Sequence, residues 1–312
     1  MNKNMVDERF ECISVIFRLA GNWEYNIGYS NLNNIDYPFS DEEYKEYAGY
    51  NTEGADNYQR EVAETFKKYE KHEAVEYAKE LKNLYLGYDA VFKFAVHIEK
   101  KDDEFVFLED IASLFDGRWN DGRAEKFLPL FNKFYADTDY AEFYNSHIQY
   151  FEKITQKFVN EYYQYINFEW FAKYVDISNL RSILSPSNSV CNYGVTVNDK
   201  IVYCLVREKT FGAVIHEYCH SFGNPLAEKL YNDKPEFKKL CDNSVDLEKM
   251  PYYNSGSNMG MEYTTRAYNV LYEVQNGSKK LEEALAKEIN EGFPYIEEVY
   301  KMILELESER SK

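Results

Sequence analysis

Residues 214–220 read Val-Ile-His-Glu-Tyr-Cys-His, so His216, Glu217 and His220 form the pattern H-E-x-x-H. On a helix, positions i and i+4 lie one turn apart on one face, and both imidazoles can reach a single metal ion at about 2.0–2.1 Å. Glu217 follows the first ligand directly. Its carboxylate therefore stands beside the ion rather than on it, where it can take a proton from an attacking water. The chain has five histidines, and random placement would give this pattern roughly 0.01 times in a chain of this composition. The expectation is one zinc ion and hydrolysis of a peptide or protein substrate, with Glu217 as general base.

A catalytic zinc site needs a third protein ligand and one open position. In the metzincin pattern a third histidine stands six residues beyond the second. Here Gly223 fits that pattern, but Leu226 occupies the ligand position and no histidine follows His220. His72, His97 and His147 lie in helical stretches and read as aromatic-lined or surface residues. A downstream carboxylate remains, from Glu228, Glu236, Asp242, Asp246, Glu262 and Glu273. Glu228 is too near to fold back onto its own helix, and Glu236 sits in a Lys-rich segment. Glu262 is preferred because it opens a well-patterned helix, residues 259–272, and a helix antiparallel to the first would complete the site most simply. Arg266, four residues on, is placed to form an i,i+4 ion pair with Glu262, a reading compatible with its orienting Glu262 as a ligand.

Hydrolysis through a tetrahedral intermediate also needs a donor near the developing oxyanion. Tyr193, Tyr252, Tyr253, Tyr263 and Arg266 are candidates, although with 30 tyrosines any single one more often packs than reacts. Asn224-Pro225 reads as the end of the active-site helix. Residues 190–197 read as an edge strand able to hold an extended peptide by main-chain pairing. Cys219, inside the motif, reads as core.

The elements that must carry these residues are mostly helices. Apolar spacing predicts helices at 6–20, 56–70, 72–86, 88–98, 104–116, 123–136 and 139–174, with a capping box at Ser40–Glu43. Strand-like segments follow at 180–184, 189–197 and 200–206, the last two turning at Asn198-Asp199. Helical patterns resume at 209–222, 259–275 and 278–309. The fold class is thus α+β, predominantly α-helical, with a small antiparallel sheet preceding the H-E-x-x-H helix. A helical portion, residues 1–176, packs on a zincin-like catalytic portion, residues 177–312, in one continuous unit.

Three blocks carry a resemblance: residues 7–22 (DERFECISVIFRLAGN), 216–225 (HEYCHSFGNP) and 262–267 (EYTTRA). They are similar to those of an uncharacterised bacterial family, domain of unknown function 4932, regarded as zinc metallopeptidases. The first part of the second block is common to many zincins, whereas its Ser-Phe-Gly-Asn-Pro extension and the Glu-x-x-x-Arg-Ala block are more specific. The resemblance spans nearly the whole chain. It implies zinc at His216 and His220, Glu217 as base and Glu262 as third ligand, the gluzincin arrangement, and it implies no particular substrate.

The 312 residues include 36 basic and 54 acidic side chains, a formal net charge of −18. That excess disfavours a nucleic-acid partner, which needs a basic stripe, and equally an anionic membrane surface. Beside a zinc site it favours cationic peptides. The five cysteines include no CxxC pair, so reduced thiols are expected. No stretch reaches transmembrane length, and the first residues are too charged for a signal peptide. A cytoplasmic protein is the expectation, with secretion the alternative if a leader has been trimmed. Two other functional classes stay open: a non-catalytic zinc-containing binding or scaffold protein, marked by a fourth protein ligand, and a zinc hydrolase of a non-peptide amide or ester.

Overall fold

The helix α1 (Glu8–Leu19) is buried over most of its length: Phe10, Cys12, Ile13, Val15, Ile16 and Phe17 are each 1% exposed or less. The computed structural model describes residues 4–26, 55–108, 117–187, 192–197, 201–206, 211–246 and 253–310. Its contacts divide the chain into two compact units, 1–165 with 180–214, and 166–179 with 215–312. The division thus falls elsewhere than at a single break after residue 176. The short sheet groups with the N-terminal helices.

In the first unit, α1 packs on α2 (Ala55–Phe66), α3 (Glu73–Asn83) and α4 (Asp89–Val96). Asp7 caps α1 by accepting the Arg9 N–H. An aromatic core joins α4 to α5 (Arg123–Asp137), with Phe94 4.9 Å from both Trp119 and Phe127. Buried Glu11 accepts from Tyr58, Ser185 and Ser187 at 2.6–2.9 Å, the pairing a carboxylate inside a core requires. Burial nonetheless raises its pKa.

Two expectations fail in this unit. Residues 98–107 form an antiparallel hairpin, β1 (Ile98–Lys101) and β2 (Glu104–Phe107), where a helix was expected from 104 onward. The turn is Asp102-Asp103, and Asp102 takes φ +54, which aspartate tolerates better than most residues. Residues 109–116 lie outside the described residues. The long helix expected over 139–174 is instead α6 (Tyr140–Ser146), α7 (Ile148–Glu161) and the one-turn α8 (Phe168–Phe171), the last in the second unit.

The three-stranded sheet has the order β3 (Leu180–Leu184), β5 (Ile201–Val206), β4 (Tyr193–Val197). β4 and β5 pair antiparallel, as the hairpin reading expects, but β3 runs parallel to β5, so the sheet is mixed rather than antiparallel. β4 is an edge strand. The turn residues 198–200 and the Ser40 capping box lie outside the described residues.

The second unit is built around α11. Its elements are α8, α9 (Phe211–Asp233, within this unit from Ile215), α10 (Pro235–Asn243), α11 (Gly256–Gln275), α12 (Leu281–Asn290) and α13 (Ile296–Arg310). α11 contacts α10, α12 and α13, and buries Met259, Tyr263, Thr264, Thr265, Ala267, Tyr268 and Leu271. Ser255 caps it through the Asn258 N–H. α9 does not end at Asn224-Pro225: Pro225 lies inside the helix. Ala227 and Leu230 are buried beyond it, so packing sustains a helix that Pro alone would weaken. The expected helix over 278–309 is divided near Gly292, whose φ is +99. Tyr174 and Tyr268 both donate to Glu307, at 2.9 and 3.0 Å, fastening α13 to the core. Among the described residues no helix is long and apolar enough to cross a membrane.

Candidate metal centre

His216 and His220 sit one turn apart on α9, with their Nε2 atoms 3.1 Å apart. Glu262, in the second turn of α11, brings Oε1 to 3.4 Å from His220 Nε2 and Oε2 to 3.8 Å from His216 Nε2. The group could hold a metal ion. Four ligands at about 2.0–2.1 Å around a tetrahedral ion are separated by about 3.3–3.4 Å. The His216–His220 and His220–Oε1 separations lie close to that edge, and His216 stands nearer the other carboxylate oxygen, so the three side chains converge on a place that an ion could occupy.

The two helices approach at Gly223. A Cβ there would lie 3.1 Å from Thr265 Oγ1 and 3.6 Å from its Cα and N. Glycine is therefore needed for close approach rather than for an unusual backbone angle. The contacts advance in the same direction along both helices: His220 meets Glu262, and Gly223 meets Thr265. An antiparallel crossing would reverse that order, so the antiparallel arrangement expected from the sequence is corrected.

A second layer of polar groups fixes His220. Its Nδ1 lies 2.9 Å from Asn224 Oδ1 and 3.0 Å from Thr265 Oγ1. The amide oxygen can only accept, so Nδ1 carries a proton and Nε2 is turned toward His216 and Glu262. Burial lowers the pKa of His216, and the neighbouring His220 lowers it further. Burial also acts to lower that of His220, but the hydrogen bond and charge of Glu262 outweigh it and the pKa rises. Burial would raise Glu262, yet the two histidines and Arg266 bring it below the ordinary carboxylate range. Without a metal, the charge of Glu262 thus favours the protonated form of His220.

Arg266 forms the i,i+4 ion pair anticipated for it, Nε donating to Glu262 Oε2 at 3.3 Å. Its Nη1 donates to Glu288 and Glu291, at 2.5 and 2.6 Å, and its guanidinium lies 4.0 Å from the centre of the Phe293 ring. Tyr253 stands beside this pair. Burial raises its pKa and so does the charge of Glu262, against the lowering effect of Arg266. Glu217 is buried, follows His216 on α9, and is close enough for its charge to raise His220.

The other candidates do not join the group. Tyr263 is fully buried, with its hydroxyl on Ser244 at 2.9 Å and the Tyr295 N–H at 3.4 Å, a packing role. Tyr193 is buried in β4 of the first unit, and Tyr252 lies outside the described residues. Glu228, Glu236 and Asp242 are exposed, and Glu273 pairs with Lys279 at 2.8 Å. The three upstream histidines are occupied elsewhere: His72 caps α3, His97 bonds the Lys93 carbonyl, and His147 bonds that of Phe143. Cys219 is buried core.

Sequence reasoning misses Asn224, Thr265, Glu288 and Glu291. Asn224 has a findable signal, since it stands four residues after His220 on the same helical face. The two glutamates have none, because only the packing of α12 on α11 brings them to Arg266. No protein-family model, no curated protein and no solved structure matches this chain.

Proposed function

We propose that the chain is a zinc-dependent metallopeptidase of gluzincin type, within the family resembled by its three sequence blocks, with a zincin-like core formed by α9 and α11. The observation that carries this reading is the convergence of His216, His220 and Glu262 on one place, with Glu217 next to His216 in the chain. Zinc bound there would supply a Lewis acid for a substrate carbonyl and lower the pKa of water. Glu217, outside the ligand group, takes the proton of the attacking water and delivers it to the leaving amine. Tyr253, beside Glu262 and Arg266, would be the donor that offsets charge on the tetrahedral intermediate, while Arg266, bound to Glu262, Glu288 and Glu291, orients the ligand. Asn224 and Thr265 keep His220 in the tautomer that presents Nε2.

Among the described residues the group holds three candidate ligands, the number a catalytic zinc site uses, whereas a closed structural site takes four. That favours catalysis over a scaffold role. The test pairs metal analysis with a peptide-library digest of wild type and Glu217→Gln. The variant is expected to keep zinc and lose turnover by at least about a hundredfold, the scale of general acid–base catalysis. Cleavage at the wild-type rate would remove Glu217 from the mechanism, and digestion of esters or non-peptide amides alone would reassign the substrate class.

A further inference from the structure

We infer that Glu288 is a positioning residue of the metal centre: acting through Arg266, it sets the orientation and effective charge of Glu262. The inference rests on the zinc reading of His216, His220 and Glu262 and extends it to a helix, α12, that contributes no ligand. Glu262 has two oxygens with different tasks. Oε1 faces His220 Nε2 at 3.4 Å, while Oε2 accepts from Arg266 Nε at 3.3 Å. A guanidinium there is a competitor as well as an orienting group. Left alone it could take both carboxylate oxygens, the bidentate geometry arginine prefers, and its charge would repel a metal cation a few ångströms away.

Glu288 prevents both. It is 1% exposed and accepts from Arg266 Nη1 at 2.5 Å, with Glu291 on the same nitrogen at 2.6 Å. Those bonds hold the far end of the guanidinium on α12, and Phe293 covers its face. Nε meets Glu262 on Oε2, so Oε1 stays available for a metal. The charge arithmetic agrees. The cation on Arg266 is offset by Glu288 and Glu291, and Lys287, 3.3 Å from Glu288 and 3.5 Å from Glu291, balances the surplus carboxylate. Glu288 carries more of the effect than Glu291, because Glu291 is half-exposed and its charge is weakened by water.

The experiment measures zinc dissociation constants by chelator competition, and thermal unfolding after zinc removal, for wild type, Glu262→Ala, Glu288→Gln, Glu288→Asp and Glu291→Gln. Loss of an outer partner of a metal ligand costs about 10–100-fold in affinity, and that loss is expected for Glu288→Gln. Glu291→Gln is expected to lose only a few-fold. Glu288→Asp keeps the charge at greater reach and falls between wild type and Glu288→Gln; if Glu288→Gln does not fold, this variant decides. A Glu288 variant that melts lower but binds zinc like wild type makes the residue merely structural and overturns the inference. Undiminished zinc binding by Glu262→Ala instead overturns the ligand assignment, and the inference with it.

Discussion

Replacing Gly223 by alanine puts one methyl group where α9 and α11 come closest, and its consequences can be worked from the distances. The new Cβ would stand 3.1 Å from Thr265 Oγ1 and 3.6 Å from the Thr265 backbone. Ordinary contacts there begin near 3.4 Å, so α11 or the threonine side chain must yield by a few tenths of an ångström. Alanine in a helix interior is worth about 1 kcal/mol over glycine, whereas overpacking costs about 1–3 kcal/mol. The metal-free protein should therefore be between about 0 and 2 kcal/mol less stable. Zinc affinity should respond more strongly. Thr265 Oγ1 lies 3.0 Å from His220 Nδ1, and Thr265 is one turn from Glu262 on the same helix. The displaced atom is thus an outer partner of one ligand and rides on the helix of another, a class of change worth about 10–100-fold in affinity. Chelator competition reads the affinity, and thermal unfolding after zinc removal reads the stability. Adding Thr265→Ala removes the obstructing oxygen, so the stability cost of Gly223→Ala should shrink in that background, as coupled neighbours require. Wild-type zinc affinity in Gly223→Ala, together with simple additivity in the double variant, would refute the close approach as the device that assembles the site.

Zinc must displace the proton held on His220, whose pKa is raised chiefly by Glu262 against the opposing effect of burial; His216 and Glu262, both lowered, enter binding already deprotonated. Affinity is therefore expected to fall about tenfold per pH unit as pH drops below the raised His220 value, with about one proton released per zinc. Competition titrations at several pH values and calorimetry in buffers of different ionisation enthalpy measure the two, and a pH-independent constant would contradict the protonation scheme. In the first unit, Gly87→Ala would set a Cβ 2.6 Å from Glu24 Oε1, a buried carboxylate that also accepts from the Tyr88 N–H. The expected cost is about 1–3 kcal/mol, read as a lower midpoint in denaturant, and an unchanged midpoint would show that Glu24 can move freely.

Local signals were read correctly where the local rule was also the winning one. The helix over 6–20 and the strand at 180–184 stand within a residue or two of Glu8–Leu19 and Leu180–Leu184. The errors have one form, a local rule overridden by packing. Residues 99–104 are six consecutive charged positions, and they hide the alternation of a two-stranded ribbon whose buried residues are Ile98 and Phe105. Pro225 is a fair stop signal in isolation, but the burial of Ala227 and Leu230 keeps α9 intact past it. The parallel β3–β5 pairing is a long-range fact, since a parallel partner is chosen by crossover and not by turn chemistry.

The candidate site shows the same gradient, and its cause is the reach of each interaction. His216, Glu217 and His220 lie within five residues, so helix geometry alone places them. Glu262 is separated from them by more than forty positions, but α11 is a core helix, and a carboxylate buried there is costly unless it is paired. Glu262 is buried in that helix beside Arg266 and the two histidines, so it is a group that draws positive charge to it. In the metal-free protein Arg266 pairs with Oε2, and the charge of Glu262 favours a proton on His220, which faces Oε1. A divalent ion where the three side chains converge would satisfy them more fully, because each ligand then faces charge along its own lone pair. Proton and metal compete for the same atoms, and this is why pH should control occupancy of the site alongside the substitutions at its ligands and their partners.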